Sequence, residues 1–239
     1  MFKNALDYLV SLGKEAATNQ VHDVNGVLFA GGDLELAPVL MPAPDRLNIA
    51  TLTGLVDYIA ANRDELDLTK MVAVVESPTR VSLCGPLMHA TEQRPVYVRC
   101  EPLLPSYKLE THLDSEHFNL MLQSCFVNTE DRATLLSFVA CIAEESSVTT
   151  EDSGVGQVVV AKTGIARRGD VVAPSPVTLR PYRTFTEIEQ PESPFVLRMR
   201  TPGPQLGLWV ADGGKWRNDA MLNIKAFLES KLDGVTILA

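Results

Sequence analysis

The stretch PVTLRPYRTFTEIEQPESPFVLRMR, residues 176–200, interleaves four arginines and three glutamates with β-favouring residues, and Pro181, Pro191 and Pro194 interrupt it. Proline fixes φ and has no ladder donor, so the pattern predicts a strand, a proline-ruled crossing and a second strand, with the charges aimed outward. No nucleophile or metal-ligand set accompanies the segment. It therefore suits partner docking or subunit pairing better than chemistry.

Downstream and just upstream, apolar residues recur at every second position. From Ser147 onward, Val148, Val155 to Lys162, Val171 to Ala173, Val177 to Arg180, Phe195 to Arg200 and Leu206 to Val210 read as strands separated by Gly, Pro or Asp turns. A last helix, from about Lys215 to Leu232, is expected to bury Trp216, Ala220, Ile224, Phe227 and Leu228. It stops at Asp233-Gly234, and a short strand from Val235 to Leu238 follows.

Before Ser147, helical and strand patterns mix. Ser115 to Phe126 and Glu130 to Ala143 read as a helix pair. Ser115 or Asp114 caps the first, Thr129 caps the second, and Glu130 and Asp131 complement the second's positive end. Met71 to Glu76 and Arg80 to Leu83 form a hairpin around Ser77-Pro78-Thr79. Pro95 to Cys100 extends it into a meander, so this sheet is expected to be largely antiparallel. A helix from about Thr53 to Leu66 buries Leu55, Val56 and Ile59, with Thr51 or Thr53 as its N-cap. Residues 20–46 read as irregular, with a short strand candidate at Leu34 to Leu40 and the character of a mobile arm or exchanging strand. The opening helix carries Phe2, Ala5, Leu6, Leu9 and Val10 on one stripe that must pack on something.

The expected fold is α+β: mainly antiparallel sheets, about five helices, a β-rich C-terminal half and a C-terminal helix. Residues 1–45 form an N-terminal helix and flexible arm, 46–146 an α+β half and 147–239 a β-rich half. No repeat, low-complexity run or long linker separates them, which favours one composite unit.

A chain of 239 residues, 46% hydrophobic and 21% charged, is of ordinary globular composition. Its longest apolar runs, such as Met71 to Val75, fall far short of the roughly 18 to 20 residues of a bilayer-spanning helix. The N-terminus lacks the pattern of a secretory signal, which points to a cytoplasmic protein. Cys84, Cys100, Cys125 and Cys141 form no CxxC pair and sit mostly in apolar stretches, as buried reduced thiols do. The net charge of −9 is uneven: 10 basic against 22 acidic residues through Ala161, then 11 against 8. Overall acidity argues against general nucleic-acid or anionic-membrane binding, and the asymmetry offers a route to head-to-tail self-association.

Catalytic signals are weak. His112 and His117 lie five apart, which turns them by about 140° around a helix and away from a shared metal. His22 and His89 sit in polar, loop-like sequence without a nearby ligand partner. There is no GxSxG elbow, and Gly154 and Gly156 precede a strand where a phosphate loop would precede a helix. Lys162, Arg167, Arg168, Arg180, Tyr182 and Arg183 could form a basic patch holding a phosphorylated ligand or a nucleic-acid strand. Pairing of the arginines with Glu187, Glu189 and Glu192 is the favoured reading.

The blocks LTGLVDYI (52–59), VVESPTRVSL (74–83), FVNTEDRATLLSFVACIAEE (126–145), the 176–200 stretch and ADGGKWRNDAMLNIKAFL (211–228) together resemble the uncharacterised bacteriophage and prophage proteins of the YfdQ-like domain-of-unknown-function family. The resemblance covers most of the chain from about residue 50 onward. It implies the cytoplasm of a bacterial host and carries over no catalytic residue, cofactor or substrate.

The expectation is a non-enzymatic phage accessory protein that self-associates through its β-rich half into a closed homo-oligomer, a ring or shell. No cofactor, metal or membrane contact is expected. The candidate interaction surface is Lys162, Arg167, Arg168, Arg180, Tyr182, Arg183, Glu187, Glu189, Glu192, Arg198 and Arg200. One alternative is a counter-defence protein that captures a host protein or nucleotide signal at Arg180 and Arg183. Another is an unrecognised hydrolase, which requires His112 or His117 beside a carboxylate and a nucleophile.

Overall fold

A computed structural model of the chain describes residues 2–18, 21–24, 27–30, 35–36, 45–88, 93–143, 148–152, 157–161, 171–172, 175–200 and 204–239. Helix α1 (Phe2–Thr18) precedes strands β1 (Val21–Val24), β2 (Val27–Ala30), β3 (Glu35–Leu36) and β4 (Leu47–Ile49). Helix α2 (Leu52–Ala61) leads to β5 (Val72–Ser77), β6 (Arg80–Cys84), β7 (Val96–Cys100) and β8 (Leu113–Asp114). Helices α3 (Ser115–Cys125) and α4 (Glu130–Ala143) precede β9 (Val148–Asp152), β10 (Gln157–Ala161), β11 (Val171–Val172), β12 (Val177–Leu179), β13 (Ser193–Arg200) and β14 (Gln205–Val210). Helix α5 (Lys215–Glu229) and β15 (Thr236–Leu238) follow. The class is α+β, with five α-helices among the described residues.

The 176–200 stretch folds as its pattern predicts, into strand, crossing and strand. β12 and β13 pair antiparallel, with Val177 opposite Phe195 and Leu179 opposite Ser193, in a sheet of order β12-β13-β14-β8. Along β13, Ser193, Phe195, Leu197 and Met199 are buried while Val196, Arg198 and Arg200 face outward, the period of two that a one-sided sheet requires. The inner face meets Phe118, Leu122, Leu135, Phe138 and Ile142 of α3 and α4 in one hydrophobic core.

A second core lies beneath the sheet of order β15-β5-β6-β7-β4. Ala73, Val75, Val81, Leu83, Val98 and Ile237 pack there against Leu52, Leu55 and Ile59 of α2 and Ile224 and Leu228 of α5. The antiparallel meander β5-β6-β7 is as expected, but both edge strands join it in parallel, β15 on β5 and β4 on β7. Pairings so distant in sequence carry no local turn signal. Gly234, at φ +82°, makes the left-handed step that turns the chain after α5 towards β5. Both cores take residues from either side of position 146.

Caps set the helix ends. Thr51 accepts the Gly54 N–H at 3.1 Å, Asp114 that of His117 at 2.9 Å, and Thr129 that of Arg132 at 3.2 Å. α2 ends earlier than its periodicity suggests. Asn62 adopts a left-handed conformation (φ 37°) and its amide clasps both the N–H and the C=O of Leu66, at 2.9 and 3.1 Å.

One expectation is corrected here. Residues 20–46 are not simply irregular, because β1, β2 and β3 form an antiparallel sheet with Val21 opposite Ala30 and Phe29 opposite Leu36. The apolar stripe of α1, expected to pack on something, lies open among the described residues: Phe2 is 92% exposed, Leu6 63% and Leu9 64%. Among the described residues no helix is long and apolar enough to cross a membrane.

Candidate functional site

The crossing between β12 and β13 holds five of the ten charged residues singled out in the sequence, and it runs between the two cores. At its start, Pro181 bridges Phe126, the Tyr182 N–H donates to the Cys125 carbonyl at 2.9 Å, and the Val127 N–H donates to the Arg180 carbonyl at 2.9 Å. These bonds fasten it to the end of α3. It then passes Phe185 and Ile188 into the core beneath the second sheet. Thr184 donates to the Pro78 carbonyl at 2.6 Å, tying the crossing to the β5-β6 turn.

Gln190 holds the loop together from within. Its Oε1 accepts the Arg183 N–H at 3.0 Å and its Nε2 donates to the Phe185 carbonyl at 2.9 Å, so a buried amide is satisfied on both sides.

The two arginines of the crossing have opposite fates. Arg180 reaches the surface and pairs with Glu189 at 2.6 Å and, through Nε at 2.8 Å, with Glu192. The hydrogen bond to Glu192 is the main reason its guanidinium holds its proton above the ordinary arginine value. The expected arginine–glutamate pairing is made here.

Arg183 corrects the expectation of outward charge. It is buried, its guanidinium stacks 4.1 Å from the centroid of Trp216, and Nη2 donates to the Pro191 carbonyl at 3.1 Å and to the Ser193 hydroxyl. Burial pushes it down to about 10, against the opposing charge of Asp212. It remains a cation at neutral pH.

Ser193 passes the chain of bonds on by donating to Asp212, whose carboxylate also accepts the N–H of Gly214 at 2.8 Å and of Trp216 at 3.3 Å. Burial alone would raise the Asp212 carboxyl. The bonds from Ser193, Gly214 and Trp216 and the charge of Arg183 outweigh it and hold Asp212 below the usual carboxylate range. The relay Arg183 to Ser193 to Asp212 thus joins the crossing to the start of α5. Ser193 is fully buried and its hydroxyl proton is committed to Asp212, so it presents no open nucleophile.

Glu187 faces the other way. Its Oε1 accepts the Leu52 N–H at 2.8 Å and the Thr53 N–H at 3.3 Å, satisfying two donors at the start of α2. Tyr182 is half-buried, Arg198 is half-buried on the outer face of β13, and Arg200 is exposed at its end. Lys162, Arg167, Arg168 and His89 lie outside the described residues. Arg180 and Arg183 therefore do not share a basic patch.

The histidines take local roles. His112 lies against Trp209 at 4.9 Å between ring centroids, and burial together with the Arg200 charge lowers its pKa. The His117 ring meets the capping carboxylate of Asp114 at 2.7 Å. All four cysteines are free. The partners Ser193 and Asp212 of the relay, and the loop-holding Gln190, escaped the sequence reading, because none of the three stands in a motif. The only hint was the clustering of Asp212, Trp216 and two glycines at a helix start. No family model, curated protein or solved structure matches the chain.

Proposed function

We propose that the chain is a non-enzymatic accessory protein of phage type whose copies assemble into a closed homo-oligomer. The observation that carries this is α1, an amphipathic helix whose apolar stripe lies open from Phe2 through Leu12. Water contact over such a stripe is costly, and burying a leucine contributes on the order of 2 kcal/mol.

A second copy fits it. An antiparallel pair centred on Leu9 sets Phe2 of one copy against Ala16 of the other and Leu6 against Leu12. A large side chain thus meets a small one at each end, so the contact is self-complementary in size about a two-fold axis. The opposed charge of the two parts of the chain supplies a second, head-to-tail contact through which such dimers close into a larger assembly.

The β-rich half contributes less than its sequence suggests. β13 lies inside its sheet, and on the short edge strand β12 the Thr178 N–H is already taken by Asp131 at 2.8 Å. The resemblance of the 52–59, 74–83, 126–145, 176–200 and 211–228 blocks to phage and prophage proteins supports the phage setting.

Sedimentation velocity at micromolar concentration tests the reading. The expected result is a species larger than 26.1 kDa, reduced in mass by the double substitution Leu6→Asp and Leu9→Asp. A wild-type monomer overturns it.

A further inference from the structure

We propose that the cavity between α2, β4 and β7 is a binding site for an organic cation, an alkylammonium or guanidinium group on an apolar stem. The cavity has a volume of about 530 Å³, within the range of small-ligand pockets. Gly54, Asp57, Tyr58 and Ala61, spaced i, i+3, i+4 and i+7 along α2, form one wall. Leu47 and Tyr97 close the sheet side, and Asp45, Arg63 and Asp64 complete the lining.

The second aromatic wall depends on an irregularity of the sheet. In β7 the register against β6 slips between Leu83, opposite Val98, and Cys84, opposite Val96, which leaves Tyr97 as the extra residue. A bulge of this kind re-aims a side chain, and Tyr97 comes to lie with the α2-side core although Val98, its neighbour, is also directed there. Space for its ring is kept by Gly85, where an added Cβ would stand 2.9 Å from Tyr97 Cε2. The left-handed Asn62 turns the chain back so that Asp64 accepts the Tyr58 hydroxyl at 2.6 Å, which holds the first ring in place.

Charge selects the ligand. Three carboxylates against one guanidinium leave the lining net negative, and neither Asp45 nor Asp57 forms an ion pair with a described residue. Two phenol rings with adjacent carboxylates and an apolar floor of Leu47 and Ala61 match a cation carried on a hydrocarbon stem. The cation could be a free amine or a Lys or Arg side chain of a second copy.

Isothermal titration of the full chain with butylguanidinium, a guanidinium on a plain four-carbon stem, tests the site. Saturable binding is expected, weakened about tenfold or more by Asp57→Asn, by Tyr97→Leu and by high salt, and absent for the uncharged alcohol of equal length. Asp57 is exposed, so its substitution leaves the fold intact. Sedimentation velocity with saturating butylguanidinium separates the sources. A fall in mass assigns the pocket to a second copy's side chain, and an unchanged mass with binding assigns it to a free cation. Absence of binding, or binding unaltered by both substitutions, overturns the proposal. The wild-type mass judges the assembly reading separately.

Discussion

Glu187 caps a helix that begins at Leu52, 135 positions earlier in the chain: one carboxylate oxygen accepts the Leu52 N–H at 2.8 Å and the Thr53 N–H at 3.3 Å. Together with Thr51 it satisfies three of the donors that α2 leaves open. Glu187→Ala is therefore expected to cost about 1 kcal/mol, the usual worth of a helix N-cap, and Glu187→Gln less, because an acceptor remains. Urea denaturation should show a lower midpoint with an unchanged slope.

Arg183 and Arg180 should differ sharply on substitution. Arg183→Leu leaves Ser193 and Asp212 without the buried cation that completes their bonds, and a loss of roughly 3 kcal/mol is expected, with a change in Trp216 fluorescence. Arg180→Ala breaks pairs whose carboxylates are 73% and 55% exposed, and should cost less than about 1 kcal/mol. Equal losses for the two would contradict the assignment.

Acid should weaken the fold through Asp212. Its folded-state carboxyl titrates below the ordinary range, so the folded protein binds that proton more weakly than the unfolded chain does. The stabilisation is complete above the unfolded value of about 4 and is lost as pH falls through the lower, folded value. Denaturation midpoints should decline below about pH 4, and Asp212→Asn should be less stable at neutral pH with a shallower acid decline.

Thiol labelling should separate the cysteines by burial. Burial, with the nearby charge of Glu187, pushes Cys100 up to about 12, so almost none of it is thiolate at neutral pH. In the native protein Cys100 and Cys125, both buried, should react with a thiol reagent more slowly than the half-buried Cys84 and Cys141. Urea should equalise all four.

The sequence by itself determined what short-range chemistry dictates. Ser77-Pro78-Thr79 placed the β5-β6 turn, Thr129 placed the start of α4, the starts of α2 and α3 were each narrowed to two candidate caps, and the alternation of Phe195, Leu197 and Met199 placed the inner face of β13. Each of these is written within a few residues, through φ restriction, side-chain capping or a period of two. The tertiary structure decided the rest: the parallel joining of β15 and β4, the early end of α2 at Asn62, the inward turn of Arg183 onto Trp216, and the re-aiming of Tyr97 by a bulge. Interleaved charges in a proline-ruled crossing read as solvated until a distant aromatic ring, a serine and a carboxylate stand ready to receive one of them. A buried arginine is stable only where all those partners converge, and that convergence belongs to the packing of α5 and β14 beside the crossing, not to residues 176–200 alone.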